Sequence, residues 1–221
     1  MLDLFGYYTG VTLIVILVAY ILAVCFSMVS HEYAHAYVAY KNGDDTAKLM
    51  GRLTFNPVKH FDVLGVICFF FIGFGWAKPV PINPLRFRNY KTGIITTSIA
   101  GVVVNFITGF LSMGLYVMCL KYFNNANNIA SLFLTSFFSL TASINFSLTV
   151  FNLLPVYPLD GFNVLSALLP YSSKFVVFMR KYGQIILIIL LVTLFRTGIF
   201  SYIIDGIFDS LYNFWCMIWR L

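Results

Sequence analysis

Long apolar runs alternate with short stretches that are polar, basic or rich in proline along this chain. A helix needs about 20 mostly apolar residues to cross a bilayer. The first run, Val11 to Val29, continues into a helix predicted from about Thr9 to Tyr40, with a stop at Lys41-Asn42-Gly43-Asp44. The mixed stretch Leu49 to Pro57 suits an extended strand or turn. Val63 to Trp76 is apolar but short for a span, and it contains Gly65, Gly73 and Gly75. Pro79, Pro81 and Pro84 then impose extended backbone. A second long helix is expected over Thr92 to Tyr122, a turn at Asn124 to Asn128, and a third helix over Ile129 to Asn152, stopped by Pro155 and Pro158. Tyr182 to Ile204 reads as a further span. The tail from Asp205 to Leu221, with Tyr212, Trp215 and Trp219, suits an interfacial helix.

The pattern predicts an all-α polytopic membrane protein. It has about four to six transmembrane or re-entrant helices, with short β-like edge segments between helix one and the next long helix. Composition agrees: 60% of the 221 residues are hydrophobic and 10% charged, and mean hydropathy is +0.88. Soluble domains carry about 25% charged residues. We expect a single integral-membrane domain over residues 1–221, with a core over about 9–165 and a C-terminal span and interfacial helix over about 166–221. The first run is too long for a signal-peptide core and lacks a basic stretch before it, so it reads as a retained span. Cys25, Cys68, Cys119 and Cys216 are scattered through apolar stretches and form no Cys-x-x-Cys pair. They read as packing residues.

The formal charge of +6 invites a nucleic-acid reading, which placement removes. All Lys and Arg residues except Lys121, Arg196 and Arg220 fall in three loop clusters: Lys41 to Lys59, Lys78 to Lys91, and Lys174 to Lys181. Basic loops set membrane orientation. If all three clusters are cytoplasmic, Val63 to Trp76 dips in and returns or lies in the interface. The end of helix one and the end of the third long helix then share the cytoplasmic side.

Candidate chemistry sits at that end. His31-Glu32-Tyr33-Ala34-His35 places two imidazoles one turn apart on one helical face, with a carboxylate beside them. Ionisable groups at membrane depth are costly and are usually functional, and His-Glu-x-x-His is the ligand pattern of zinc hydrolases. A catalytic zinc site also takes a third protein ligand. Among the eight acidic residues, Asp160 follows the third long helix and arrives on the side of the histidines.

The sequence resembles the site-2 protease family of intramembrane zinc metalloproteases, in the compact prokaryotic branch without a PDZ or CBS domain. The resemblance spans roughly residues 20 to 165. It is carried by His31 to His35, Gly43 to Lys48, Gly51 to Pro57 with His60, Trp76 to Pro84, Ala100 to Asn105, and Asn152 to Gly161. The family has Gly-Pro where this chain has Gly101-Val102, a position that is not a ligand. The resemblance implies Zn2+ held by His31, His35 and Asp160, with Glu32 as catalytic base. It also implies hydrolysis of peptide bonds in a transmembrane helix of a membrane-protein substrate. The location implied is the lipid bilayer of a prokaryotic cell membrane, with the site towards the cytoplasm. No nucleic-acid partner is expected, and a homo-oligomer is left open.

Asn105 and Asn152 are candidate substrate-binding residues. Asn105 serves equally as a bond to a neighbouring helix, and Asn152 as a partner for backbone freed by Pro155. His60 reads as a loop or interface histidine. Strand addition along Gly51 to Asn56 or Val80 to Asn83 is one way to hold an unwound substrate. The rival readings are a catalytically inactive membrane-binding module and a metal transporter on the same scaffold. The intact Glu32 weighs against the first, and the scarcity of polar residues across the long helices against the second.

Overall fold

The computed structural model describes residues 10–62, 64–65, 78–123, 128–170 and 172–220. Seven α-helices are present among them: α1 (Gly10–Lys41), α2 (Thr46–Leu49), α3 (Tyr90–Phe123), α4 (Ile129–Asn152), α5 (Asp160–Leu168), α6 (Lys174–Thr197) and α7 (Ile199–Trp219). Helices α1, α3 and α4, and the stretch Lys174–Leu194 of α6, are long and apolar enough to cross a membrane.

The three long helices pack on one another in every pairing. Residue pairs fix their directions. Asn42, just past α1, and His35 of α1 meet Thr96 and Thr97 near the start of α3, while the earlier His31 meets the later Asn105, so these two helices are antiparallel. In α4, the Asn145 side-chain amide donates to Ser27 Oγ of α1 at 2.7 Å, well before either helix ends. Leu153, just past α4, lies against Gly161, and Asp160 reaches His31 and His35, so the ends of α1 and α4, and the start of α3, lie together. The chain between α1 and α3 leaves and returns at one end of the bundle. Most of the re-entrant segment expected at Val63 to Trp76 falls outside the described residues.

Helix α7 closes the far side, on α3 and α4. Trp215 and Trp219 pack against a core of Met113, Val117, Ala142 and Phe146. Buried indole N–H groups need acceptors, and α3 supplies them: Trp215 donates to the Phe110 carbonyl at 3.1 Å and Trp219 to the Gly114 carbonyl at 3.2 Å. Gly114 permits this approach, since a Cβ there would lie 2.8 Å from the Trp215 ring.

Two expectations are corrected. First, the last span begins at Lys174 and ends at Thr197, before the tail helix starts at Ile199. The break falls at Gly198, whose φ of 69° is left-handed backbone that glycine adopts without steric cost. Second, the β-like edge segments are not formed: among the described residues there is no strand, only an isolated bridge at Phe61. Thr46–Leu49 is one helical turn, and Pro57–Lys59 and Pro84–Arg86 are 3-10 turns. Each 3-10 turn is capped by the preceding asparagine, Asn56 and Asn83. Between Lys78 and Asn83, Pro79 and Pro81 have no N–H to give to a ladder. Apart from the Lys78 N–H, the backbone groups bonded there go to side chains. Arg52 Nη2 donates to the carbonyls of Lys78 and Pro79 at 2.6 and 3.3 Å, and Asp44 accepts the Asn83 N–H at 2.6 Å. The Lys78 N–H donates to the His60 carbonyl at 2.8 Å. The result is a tethered strap over the shared end of the bundle.

Candidate metal centre

His35 follows His31 by four positions on α1, so both rings emerge on one helical face. They are 8% and 6% exposed, and their Nε2 atoms lie 2.9 Å apart. Asp160 is the first residue of α5. The turn from α4 into α5 is tight: a Cβ at Gly161 would lie 2.3 Å from the Leu153 carbonyl oxygen. Asp160 Oδ2 thus reaches within 3.4 Å of His31 Nε2 and 3.2 Å of His35 Nε2.

These three residues form a cluster able to hold a metal ion. Four tetrahedral ligands at ordinary zinc distances stand about 3.3 Å from one another, close to the separations found here. Two imidazoles and one carboxylate are also a catalytic zinc donor set, which leaves a fourth position open. Asp160 Oδ2 is buried and has no hydrogen-bond partner. A buried carboxylate oxygen in that state calls for a cation or a donor. The residues present fit the group.

Helix α3 forms the floor. The His35 Nδ1–H donates to the Thr97 carbonyl at 2.7 Å, which directs its Nε2 towards Asp160. Gly101 faces both rings: a Cβ there would lie 2.5 Å from His31 Cε1 and 2.5 Å from His35 Nε2. The side chain of Asn105, fully buried, lies 3.0 Å from His31 Nδ1.

Glu32 lies next to His31 and outside the ligand cluster. Its Oε2 accepts the Val80 N–H from the strap at 3.0 Å. Asn152 donates to the Leu148 carbonyl of its own helix at 3.0 Å. His60 is also outside the cluster. It is fully buried, and its ring bonds to the Thr54 carbonyl at 2.8 Å through Nε2. A cavity of about 380 Å³ opens beside α5, with Thr97, Ser98, Asn163 and Arg180 among its lining residues.

The sequence placed Val80 in a candidate substrate edge and gave it no contact with Glu32, and it did not single out Thr97; both act through backbone. For Val80 a signal was present: in Pro79-Val80-Pro81 only the middle residue carries an N–H. For Thr97 none was, since a helical carbonyl leaves no trace in residue type.

A family model described as Peptidase family M50 matches residues 60–195, more than half of the chain. A candidate zinc metalloprotease of Bacillus subtilis (strain 168), YwhC, is 43% identical over 173 residues, covering 78% of each chain. A second candidate zinc metalloprotease, Rip2 of Mycolicibacterium smegmatis, is 26% identical over 194 residues, covering 84% of this chain and 69% of the relative. No solved structure matches the chain.

Proposed function

Because the chain belongs to peptidase family M50, we propose that it is an intramembrane zinc metalloprotease that hydrolyses peptide bonds in transmembrane segments of membrane proteins. One observation carries the reading. On a helix apolar enough to span a bilayer, His31 and His35 converge with Asp160 on one point, and Glu32 stands beside them.

In this reading His31 Nε2, His35 Nε2 and Asp160 Oδ2 hold the zinc, and Glu32 is the general base. Bound zinc supplies Lewis acidity that polarises the scissile carbonyl and acidifies a water near Glu32. Glu32 takes the proton of that water as its oxygen bonds to the carbonyl carbon. It returns the proton to the leaving amine as the C–N bond breaks. Val80 holds one carboxylate oxygen through its N–H, leaving Oε1 for the proton. Thr97 and Gly101 set the rings from below.

The substrate is a transmembrane helix that must unwind near the site, because helical carbonyls are engaged in hydrogen bonds. The strap does not supply a ready strand edge for it, since the Val80 and Asn83 N–H groups are already engaged by Glu32 and Asp44. The placement of Lys41, Lys48, Arg86, Arg88 and Lys91 near the shared helix ends supports a cytoplasm-facing site in a prokaryotic plasma membrane. The packing of α7 on α3 and α4 supports one domain running through the tail.

The test is purification of the full chain in detergent with assay of metal and of cleavage of a transmembrane peptide. Stoichiometric zinc and cleavage that chelator abolishes and zinc restores are expected. Wild-type protein that takes up no zinc overturns the reading.

A further inference from the structure

The amide of Asn105 is buried completely between α3 and α1, and its contact with His31 does not close as drawn. Nδ2 sits 3.0 Å from His31 Nδ1, while Oδ1 is buried without a partner. The two ends of a carboxamide have the same shape and differ only in donating or accepting. If Nδ2 donates to His31 Nδ1, the neutral ring must carry its proton on Nε2. That proton would point into the ligand cluster, where Asp160 Oδ2 and His35 Nε2 stand within 3.4 Å and 2.9 Å. If the amide is turned over, Oδ1 accepts an Nδ1–H proton. The orphaned oxygen is then satisfied, and the Nε2 lone pair is free.

We propose that Asn105 is a positioning residue: its Oδ1 accepts the Nδ1–H of His31 and holds the ring in the tautomer whose Nε2 can bind zinc. His35 is held the same way, with the Thr97 carbonyl as acceptor at 2.7 Å. Helix α3 therefore keys both imidazoles of α1 through Nδ1, one by backbone and one by side chain. A metal-ligating histidine ordinarily donates its other ring N–H to such an outer partner. Gly101 lies against the same ring, where a Cβ would stand 2.7 Å from His31 Nδ1, so the ring keeps its packing when the Asn105 amide is lost. Asn105 thus acts behind the metal site, away from substrate. The inference rests on the zinc reading above.

The test uses the full chain in detergent and measures zinc affinity by chelator competition. Asn105→Leu keeps the volume and removes the acceptor, and it is expected to weaken zinc binding about 10- to 100-fold. Asn105→Asp restores an acceptor and is expected to restore affinity. Folded Asn105→Leu protein with wild-type affinity overturns the proposal, as does Asn105→Asp protein as weak as Asn105→Leu. A second measurement needs no variant: nitrogen NMR of 15N-histidine-labelled, metal-free wild type should show His31 protonated on Nδ1. Protonation on Nε2 overturns the proposal. Wild-type protein without zinc affinity overturns the zinc reading itself, whereas a zinc-binding wild type with an equally tight Asn105→Leu variant overturns only the role of Asn105.

Discussion

The N–H of Val80 donates to Glu32 Oε2 at 3.0 Å, and Val80 stands between two prolines that have no N–H. The strap is thus chemically silent on either side of its one contact with the proposed base. A carboxylate that accepts a fixed backbone donor keeps its other oxygen in a defined direction.

Deleting that donor tests the relationship. Val80→Pro is expected to lower kcat/KM about 10- to 100-fold, the equivalent of one hydrogen bond to a charged group, while zinc content stays unchanged. Val80→Ala keeps the N–H and should remain near wild type. Equal activity of the Pro and wild-type proteins would remove Val80 from the mechanism.

Glu32→Gln keeps the shape of the side chain and removes its basicity. Zinc content should match wild type, because Glu32 is outside the ligand cluster. Cleavage should fall by at least about 100-fold, the lower range for loss of a general base. Asp160→Asn should show the opposite pattern, with zinc lost along with activity. Metal analysis beside a peptide-cleavage assay separates the two.

Gly101→Ala is expected to abolish zinc binding. Its Cβ would meet two ring atoms at 2.5 Å, and α1 is held against α3 on either side of the site, by Asn42–Thr96 and by Asn105–His31. Gly206→Ala is the control, since no atom lies within 4 Å of a Cβ there. Zinc content of the two purified variants decides the outcome.

Asp44 is fully buried and joins the end of α1 to the strap through the N–H groups of Thr46 and Asn83. Asp44→Ala should destabilise the protein by about 1.5–3 kcal/mol, the range for hydrogen bonds to a charged group. It should also reduce cleavage while the zinc ligands, which come from α1 and α5, keep their metal. Thermal unfolding in detergent and metal analysis check both halves.

The bundle was legible where one physical signal dominated. Helices α1, α3 and α4 are apolar runs ended by polar clusters, and their expected limits fall within two residues of those found. Between α6 and α7 the apolar character does not change at Gly198, so hydropathy placed the break too late; only backbone conformation marks it. Helix α5 was hidden because it is short and follows a proline-rich turn. The β-like reading of the loops failed because alternating prolines favour extended backbone yet withhold the donors that a sheet requires. At the proposed site, residue type and spacing marked His31, Glu32 and His35, the side on which the third long helix ends marked Asp160, and the structure brings His31, His35 and Asp160 together. For Asn105 a bond to a neighbouring helix was one of two expectations, and its contact with His31 of α1 is such a bond; which residue it meets depends on tertiary packing.

The length of α1 bears on the depth of the proposed site. Its 32 residues extend about 48 Å at 1.5 Å per residue, against about 30 Å of hydrocarbon. His31 and His35 lie ten and six residues before Lys41, so about 15 and 9 Å from that end of the helix. In the proposed orientation, with Lys41 at the membrane surface, the site is shallow, and a target helix would need to fray only over its last turns to present a carbonyl. Residues that loosen a helix terminus, such as glycine or proline close to the membrane surface, should then mark which bond is cut, more than any side chain at the bilayer midplane.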